Sequence, residues 1–187
     1  VVIGAGPAGS VAAAMLVDQG YSVEVLERAH FPRFSIGESL LPQSMAFLEE
    51  AGLLESVHCE GFQLKTGSMF RRGPDEQVFD FSEKTAEGWA STYQVSRGRF
   101  DQILADGAAS KGAIIRYGEQ VTDFTPGDEQ VRLTVRNDDG SQRQLTARFA
   151  LDASGFGRVL ASLLDLDRPS NVPCRRSLFT HVRAHMR

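Results

Sequence analysis

The stretch VVIGAGPAGSVAAAMLVDQGYSVEVLER, residues 1–28, decides the fold of this chain. Its first residues, VVI, are typical of a buried strand, and GAGPAG of a glycine turn. The alanine-rich stretch after the turn predicts a helix that ends at Gly20, and YSVEVLER predicts a second strand. A strand, a helix and a second strand in this order form a βαβ unit, which predicts an α/β fold with a parallel sheet.

The glycine turn has the spacing of a nucleotide-binding loop. Gly4, Gly6 and Gly9 form GxGxxG directly after a strand and at the start of a helix. The first glycine permits a tight turn, the second lets a pyrophosphate approach the backbone, and the third lets helix and strand pack closely. Pro7 and Ala8 open the helix, whose N-terminus favours phosphate charge. All five residues are therefore predicted to bind a dinucleotide cofactor.

Glu27 ends the second predicted strand, 23 residues after Gly4. A carboxylate at this place can bind the ribose hydroxyls of an adenosine, and Arg28, the next residue, is also predicted to contact the cofactor. An acidic residue here favours a cofactor without a 2′-phosphate, so NAD or FAD is preferred to NADP. The alternative is a structural glycine turn with an incidental glutamate.

Composition limits the classes of partner. The chain has 187 residues, 42% hydrophobic and 24% charged, which fits one ordinary domain or one domain with part of a second. A net charge of −4 gives no electrostatic reason to expect nucleic acid or a membrane surface as partner. Cys59 and Cys174 lie far apart and form no CxxC, and His181 and His185 lack a carboxylate partner. We therefore expect a small-molecule partner, no metal site and a reducing cytoplasm.

The rest of the chain predicts further strands and helices. Residues 40–51 and 97–110 have helical spacing, and an Asp-Asp-Gly centred on Asp139 predicts a hairpin. Residues 62–95 alternate as strands do and are predicted to begin an inserted antiparallel layer on the substrate side. We expect a single nucleotide-binding domain over residues 1–187 with both ends cut, since residue 1 already lies in a buried strand and the last residues stop after a strand-like segment without a cap or turn. The rest of a substrate domain is then expected after residue 187.

Two later stretches resemble a known superfamily. VSRGRFDQILADGAASKGA, residues 95–113, and ALDASGFGRVLA, residues 150–161, are similar to segments of the glutathione-reductase-type flavoprotein monooxygenases. The resemblance implies a Rossmann-like FAD-binding domain of the GR2 type, with Arg97 beside the adenosine and phosphates and Asp152 and Gly155 near the ribityl chain and pyrophosphate. The residues alone leave alternatives, namely Asp152 as a helix cap and Arg97 as a solvated cation at an unfavourable helix start.

FPRFSIGESLLP, residues 31–42, resembles flavin-dependent halogenases, especially those that act on phenolic, pyrrolic or carrier-bound substrates. Geranylgeranyl-type reductases share shorter versions of this pattern. The resemblance implies that Arg33, Gly37, Glu38 and Ser39 help to form the FAD site. The alternative is that Ser39 caps a helix with Pro42 in its first turn, while Glu38 is solvated.

In the same resemblance, Lys65 in GFQLKTGSMF, residues 61–70, takes the place of the catalytic lysine. The implied reaction uses FADH2, O₂ and chloride or bromide, and an amine could hold or capture hypohalous acid beside the substrate. A second dinucleotide fingerprint is not visible, so we expect a separate flavin reductase and a small-molecule or carrier-protein-bound substrate. The alternative for Lys65 is an exposed strand lysine. The alternatives for the function are a FAD-dependent monooxygenase, a geranylgeranyl-reductase-like oxidoreductase and a non-catalytic FAD-binding protein.

Overall fold

The computed structural model describes residues 1–176 and 178–180. Strands and helices alternate at the start of the chain, and strands dominate its second half. In chain order the elements are β1 (Val2–Ile3), α1 (Pro7–Asp18), β2 (Glu24–Glu27), α2 (Gln43–Glu50), α3 (Leu54–Cys59), β3 (Gln63–Lys65), β4 (Gly67–Arg72), β5 (Asp75–Asp80), β6 (Thr92–Gln94), α4 (Arg97–Lys111), β7 (Ile114–Tyr117), β8 (Glu119–Thr125), β9 (Val131–Asn137), β10 (Gln142–Ala147), β11 (Leu151–Asp152) and α5 (Val159–Leu163).

The central sheet is parallel and has the strand order β11-β1-β2-β7. Val2 lies opposite Leu151 on one side and Val25 on the other, which makes β1 an inner strand. The predicted βαβ unit is thereby confirmed, and with it the α/β fold class. Because β1, β2 and β11 run in the same direction, their carboxyl ends meet at one edge, where sheets of this kind bind ligands.

The two faces of the parallel sheet are covered by different layers. Successive side chains of a strand point to opposite faces. Val2 and Val25 are buried in a cluster with residues of α1 and α4. Ile3 and Leu26, the next residues along each strand, are buried with Leu133 and its neighbours in the antiparallel sheet β10-β9-β8. An antiparallel layer formed by β8, β9 and β10 therefore covers this face of the parallel sheet, and the Asp-Asp-Gly hairpin joins β9 to β10 as predicted.

The helix predicted over residues 40–51 begins later than its periodicity suggests. The helix α2 starts at Gln43, and Pro42 precedes it as N-cap. The reason is tertiary pairing, since Ser39 bridges Gln94 and the amide of Leu40 donates to the carbonyl of Tyr93 at 3.2 Å. Strand pairing thus removes the first three residues from the helix.

Residues 62–95 form the strands that their alternation predicts. The strands β3 and β6 pair antiparallel, and β4 and β5 form a separate two-stranded ribbon. That these strands begin a substrate-side layer stays a prediction. The short helix α3 was not predicted, because six residues are too few to show a helical period.

Candidate functional site

The glycine turn joins β1 to α1 at the ligand-binding edge of the parallel sheet. Gly4 has a φ of +98°, and a Cβ at this position would lie 2.8 Å from the carbonyl oxygen of Ala153. A Cβ at Gly9 would lie 1.9 Å from the carbonyl oxygen of Gly4. Both positions therefore require glycine, the first for its backbone conformation and the second for the close approach of α1 to β1.

Gly6 is different, because its open side faces no protein backbone. The nearest atom to a Cβ at Gly6 would be Nη2 of Arg33, at 3.6 Å. The helix α1 follows directly, with Pro7 at its first position and Ala8 exposed. A backbone turn with free space beside it, at a helix N-terminus and next to a guanidinium, fits a pyrophosphate.

Glu27 is held at the end of β2 beside this turn. Its side chain is buried, with Oε2 accepting a hydrogen bond from the amide of Ala5 and Oε1 one from the amide of Ala29, both at 2.9 Å. Each carboxylate oxygen can accept a second hydrogen bond. The carboxylate is therefore fixed in place and still able to bind ribose hydroxyls, while Arg28 beside it is exposed.

A buried ion-pair network lies behind the turn. Asp101 is fully buried and accepts hydrogen bonds from Nε of Arg97 at 2.7 Å and from Nη2 of Arg97 at 3.0 Å. Nη1 of Arg33 lies 3.3 Å from the same carboxylate, and Nε of Arg33 lies 3.8 Å from Glu27. Two guanidinium groups and two carboxylates thus balance one another where β2, α4 and residues 31–42 meet.

Arg97 also holds the loop that carries Gly37. Its Nη1 donates to the carbonyl of Ile36 at 2.6 Å, and a Cβ at Gly37, which has a φ of +100°, would lie 3.1 Å from this nitrogen. The Arg97 side chain is only 13% exposed, so the alternative of a solvated cation is wrong. Its bonds are to Asp101 and the loop, and its predicted contact with a cofactor stays a prediction.

Asp152 lies at the carboxyl end of β11. Its Oδ1 accepts from the amide of Ser154 at 3.0 Å, and its Oδ2 accepts from the amide of Leu160 at 2.7 Å, in the first turn of α5. The structure therefore gives Asp152 the capping role that was the alternative to cofactor binding. Gly155 follows with a φ of +59° and is exposed. Contact of these two residues with a cofactor stays a prediction.

The capping role of Asp152 makes stability depend on pH. Burial alone would raise the pKa of Asp152, but the hydrogen bonds from Ser154 and Leu160 outweigh it and lower the pKa below its usual value. A lowered pKa stabilises the fold above the pKa of the unfolded chain, and this contribution disappears as the pH falls through the folded-state pKa. We expect Asp152→Asn to lower the free energy of unfolding at pH 7 by less than about 1 kcal/mol, since the carboxylate is exposed.

Urea unfolding as a function of pH checks this expectation. The difference between Asp152→Asn and the wild type should shrink as the medium becomes acidic, because the protonated carboxyl is as neutral as the amide. A difference that stays constant over the whole acidic range would contradict it.

Lys65 lies against the segment that carries Glu38 and Ser39. Its Nζ donates to Oγ of Ser39 at 2.7 Å and to the carbonyl of Leu40 at 3.0 Å, and lies 5.0 Å from the ring centroid of Phe81. Lys65 is half-buried and borders an open depression of about 440 Å³. Lys65 is therefore not an exposed strand lysine, which was the alternative interpretation.

The environment of Ser39 also corrects the capping alternative. Because the N-cap of α2 is Pro42, which makes no side-chain cap, Ser39 does not cap this helix. Its hydroxyl is an acceptor for Lys65 instead. Glu38 is half-buried and its carbonyl accepts from the amide of Val95 at 2.8 Å, so residues 38–40 run beside β6. A cofactor-binding role of the Glu38 side chain stays a prediction.

Sequence reasoning missed two parts of this site. Asp101 is the buried centre of the ion-pair network, and its spacing of four residues from Arg97 on a predicted helix is a usable signal for this pairing. Phe81, against which Lys65 lies, carries no signal, because an aromatic residue in an alternating stretch is ordinary.

Over residues 1–176 and 178–180, three or more His, Cys, Asp or Glu side chains do not come together in a way that could hold a metal ion. His181 and His185 lie outside the described residues. Within the same residues, the helices are too short or too polar to cross a bilayer.

Three kinds of comparison relate the chain to known proteins. The family model described as FAD binding domain matches residues 1–185. A flavin-dependent halogenase, armH2 of Armillaria mellea, is 36% identical in an alignment 167 residues long, gaps included, that covers 86% of this chain and 32% of that protein. The 1H-pyrrole-2-carbonyl-[peptidyl-carrier protein] chlorinase of Pseudomonas fluorescens is 31% identical in an alignment 187 residues long, gaps included, that covers 89% of this chain and 41% of that protein.

Among solved structures, a flavoprotein/dehydrogenase from Cytophaga hutchinsonii has a TM-score of 0.89 and 46% identity, over 92% of this chain and 43% of that one. The chain thus spans 32% of the halogenase from Armillaria and 41% of the carrier-protein chlorinase. The resemblance to flavin-dependent halogenases is confirmed by these curated relatives. Because the family model matches nearly the whole length, the chain belongs to the FAD binding domain family.

Proposed function

We propose that this chain is the FAD-binding part of a flavin-dependent halogenase that uses FADH2, O₂ and chloride or bromide. The observation that carries the proposal is the position of Lys65, whose ammonium group is held 2.7 Å from the hydroxyl of Ser39. The two residues come from the two stretches that resemble halogenases, 26 residues apart, and the fold joins them. The curated relatives of this FAD binding domain support the same activity.

The cofactor would be held by the edge of the parallel sheet. Gly6 leaves room for the pyrophosphate, Glu27 offers acceptors to the ribose, and Arg33 lies between them. Gly4 and Gly9 would act through the backbone of the turn. Reduced FAD, when bound, would supply the electrons with which O₂ and halide give hypohalous acid.

Lys65 would hold or capture that acid. Its amine can hydrogen-bond hypohalous acid, or can form an N–halogen bond with release of water and then pass the halogen to an electron-rich carbon, which loses a proton. Phenolic, pyrrolic and carrier-bound substrates all present such carbons. A substrate bound to a carrier protein is supported by the carrier-protein chlorinase among the relatives.

Lys65→Ala tests the proposal. We expect the formation of halogenated product from FADH2, O₂ and halide to fall by about 10²-fold or more, because the group that directs the halogen is removed. FAD binding, followed by flavin fluorescence, should be unchanged. Lys111→Ala is the matched control, since this lysine pairs with Asp18 at 2.8 Å and should leave product formation intact. Full halogenation by Lys65→Ala would contradict the role of the lysine.

A second candidate function has specific support. The flavoprotein/dehydrogenase from Cytophaga hutchinsonii, 46% identical to this chain, is named for an activity other than halogenation. A FAD-dependent monooxygenase or a geranylgeranyl-reductase-like oxidoreductase is the corresponding alternative. Mass spectrometry of the product separates them, because a hydroxylated or reduced product in the presence of halide would replace the halogenase proposal. Bound FAD without any turnover would favour a non-catalytic FAD-binding protein.

Reduced flavin is proposed to come from a separate reductase in the cytoplasm. The separate reductase is inferred because the sequence shows a single dinucleotide fingerprint, at Gly4, Gly6 and Gly9. The cytoplasm is inferred because Cys59 and Cys174 are free thiols, as is usual in a reducing compartment. Rapid oxidation of NAD(P)H by the purified protein alone would contradict a separate reductase.

A further inference from the structure

Residues 38–40 and β3 lie on opposite edges of β6. The strand β3 pairs with β6 through Gln63 and Gln94, and Ser39 forms an antiparallel bridge with the same Gln94. One residue can pair with two strands only from its two sides, so β6 is the middle strand. The halogenase-like segment and the lysine strand are thus joined through a strand that neither sequence motif contains.

The side chain of Lys65 crosses this middle strand. Lys65 lies directly opposite Thr92 in the antiparallel pair, and such partners point to the same face. Its Nζ nevertheless reaches Ser39 and Leu40, which belong to the third strand-like segment. Since neighbouring strands lie about 4.8 Å apart, the lysine must extend over β6 to make these bonds.

Two of the three N–H groups of the Lys65 ammonium donate hydrogen bonds to residues 39 and 40. A lysine ammonium has three N–H donors. One donates to the hydroxyl of Ser39 and a second to the carbonyl of Leu40, which leaves one N–H for a group in the depression that Lys65 borders. The carbonyl is part of the paired backbone and cannot be removed by mutation, whereas the hydroxyl of Ser39 can.

We propose that Ser39 is a positioning residue for Lys65, which fixes the direction of the remaining N–H. This inference rests on the proposed function for its catalytic meaning, but the hydrogen bond itself can be tested without any turnover. In this proposal Lys65 contacts the reacting species, whereas Ser39 acts only through its hydrogen bond to Lys65.

Thr92 offers a matched control on the same face. Thr92 is fully buried, and its Oγ1 has no hydrogen-bond partner within the residues that the structure describes. Thr92→Val therefore removes a hydroxyl near Lys65 without removing a hydrogen bond to it. Ser39→Thr is the conservative variant, because it keeps the hydroxyl that Lys65 uses.

The first test measures the reactivity of Lys65 toward acetic anhydride in the purified protein, by peptide mass spectrometry. An amine that donates to two acceptors must release them before it attacks, so Ser39→Ala should be acetylated about five- to tenfold faster at Lys65. Ser39→Thr and Thr92→Val should react as the wild type does, with Lys84 and Lys111 as internal references. Equal rates at Lys65 in Ser39→Ala and the wild type would overturn the inference.

The second test measures turnover with FADH2, O₂ and halide. We expect Ser39→Ala to lower kcat by about tenfold with little change in KM, and Ser39→Thr to restore it, because the lysine is misdirected and the substrate site is intact. Faster acetylation with no halogenation by the wild type would reject the proposed function and keep the positioning. Unchanged acetylation with a normal wild-type activity would reject the positioning and keep the function.

Discussion

Asp101→Ala is expected to lower the free energy of unfolding by about 3–5 kcal/mol, a large part of the stability of an ordinary domain. The carboxylate is fully buried and is the shared partner of Arg97 and Arg33, whose side chains are 13% and 24% exposed. Its removal leaves two guanidinium groups in a poorly solvated place, where Nε of Arg33 lies as far as 3.8 Å from the carboxylate of Glu27. Urea unfolding of the purified protein measures the change.

The neighbouring pair of Arg99 and Glu60 provides the control. Arg99 lies on the same helix, α4, and donates to Glu60 at 2.8 Å and 2.9 Å, but its side chain is 49% exposed. Water can solvate either partner when the other is removed, so Glu60→Ala should have a much smaller effect than Asp101→Ala. Equal effects of the two substitutions would show that burial does not govern the strength of the Asp101 network.

Loss of the network should also reach the FAD site. Arg97 holds the carbonyl of Ile36, and Arg33 lies against Gly6 in the cofactor-binding turn. Without Asp101 both arginines lose the group that orients them. We therefore expect Asp101→Ala to bind FAD more weakly even under conditions in which the variant is folded.

The glycine turn could be predicted from sequence because its demands are local. Gly4 needs a positive φ, and Gly9 needs room against Gly4 itself, five residues away. The spacing of glycines within one short stretch of sequence is enough to predict such requirements. The same holds for the hairpin at Asp139, where turn residues sit between two alternating strands.

The rest of the site depends on contacts between distant segments. Ser39 and Lys65 contact each other because both of their segments pair with β6. In the sequence, β6 follows Lys65 only after the two strands β4 and β5. The same pairing delays the start of α2 until Gln43, although residues 40–51 have helical spacing. Arg33 contacts Asp101 because the segment that follows β2 lies against α4. Periodicity cannot show such contacts, since they are made by the tertiary fold.

Gly9→Ala is expected to destabilise the fold by about 3 kcal/mol and to abolish detectable FAD binding. The new Cβ would lie 1.9 Å from the carbonyl oxygen of Gly4, and that atom belongs to the backbone of the turn. A flexible side chain could move aside, but here α1 must move away from β1, and the turn must open with it. Urea unfolding and flavin fluorescence titration measure the two effects on the same protein.

Gly6→Ala separates the packing role of the turn from its role in binding. A Cβ at Gly6 meets only Nη2 of Arg33, at 3.6 Å, which is an ordinary contact. Because Gly6 is the N-cap of α1, where alanine is disfavoured, the loss of stability should stay near or below about 1 kcal/mol. The methyl group would nevertheless occupy the space through which a pyrophosphate approaches the backbone, so FAD binding should fall as strongly as in Gly9→Ala. Wild-type affinity for FAD in Gly6→Ala would mean that the pyrophosphate lies elsewhere.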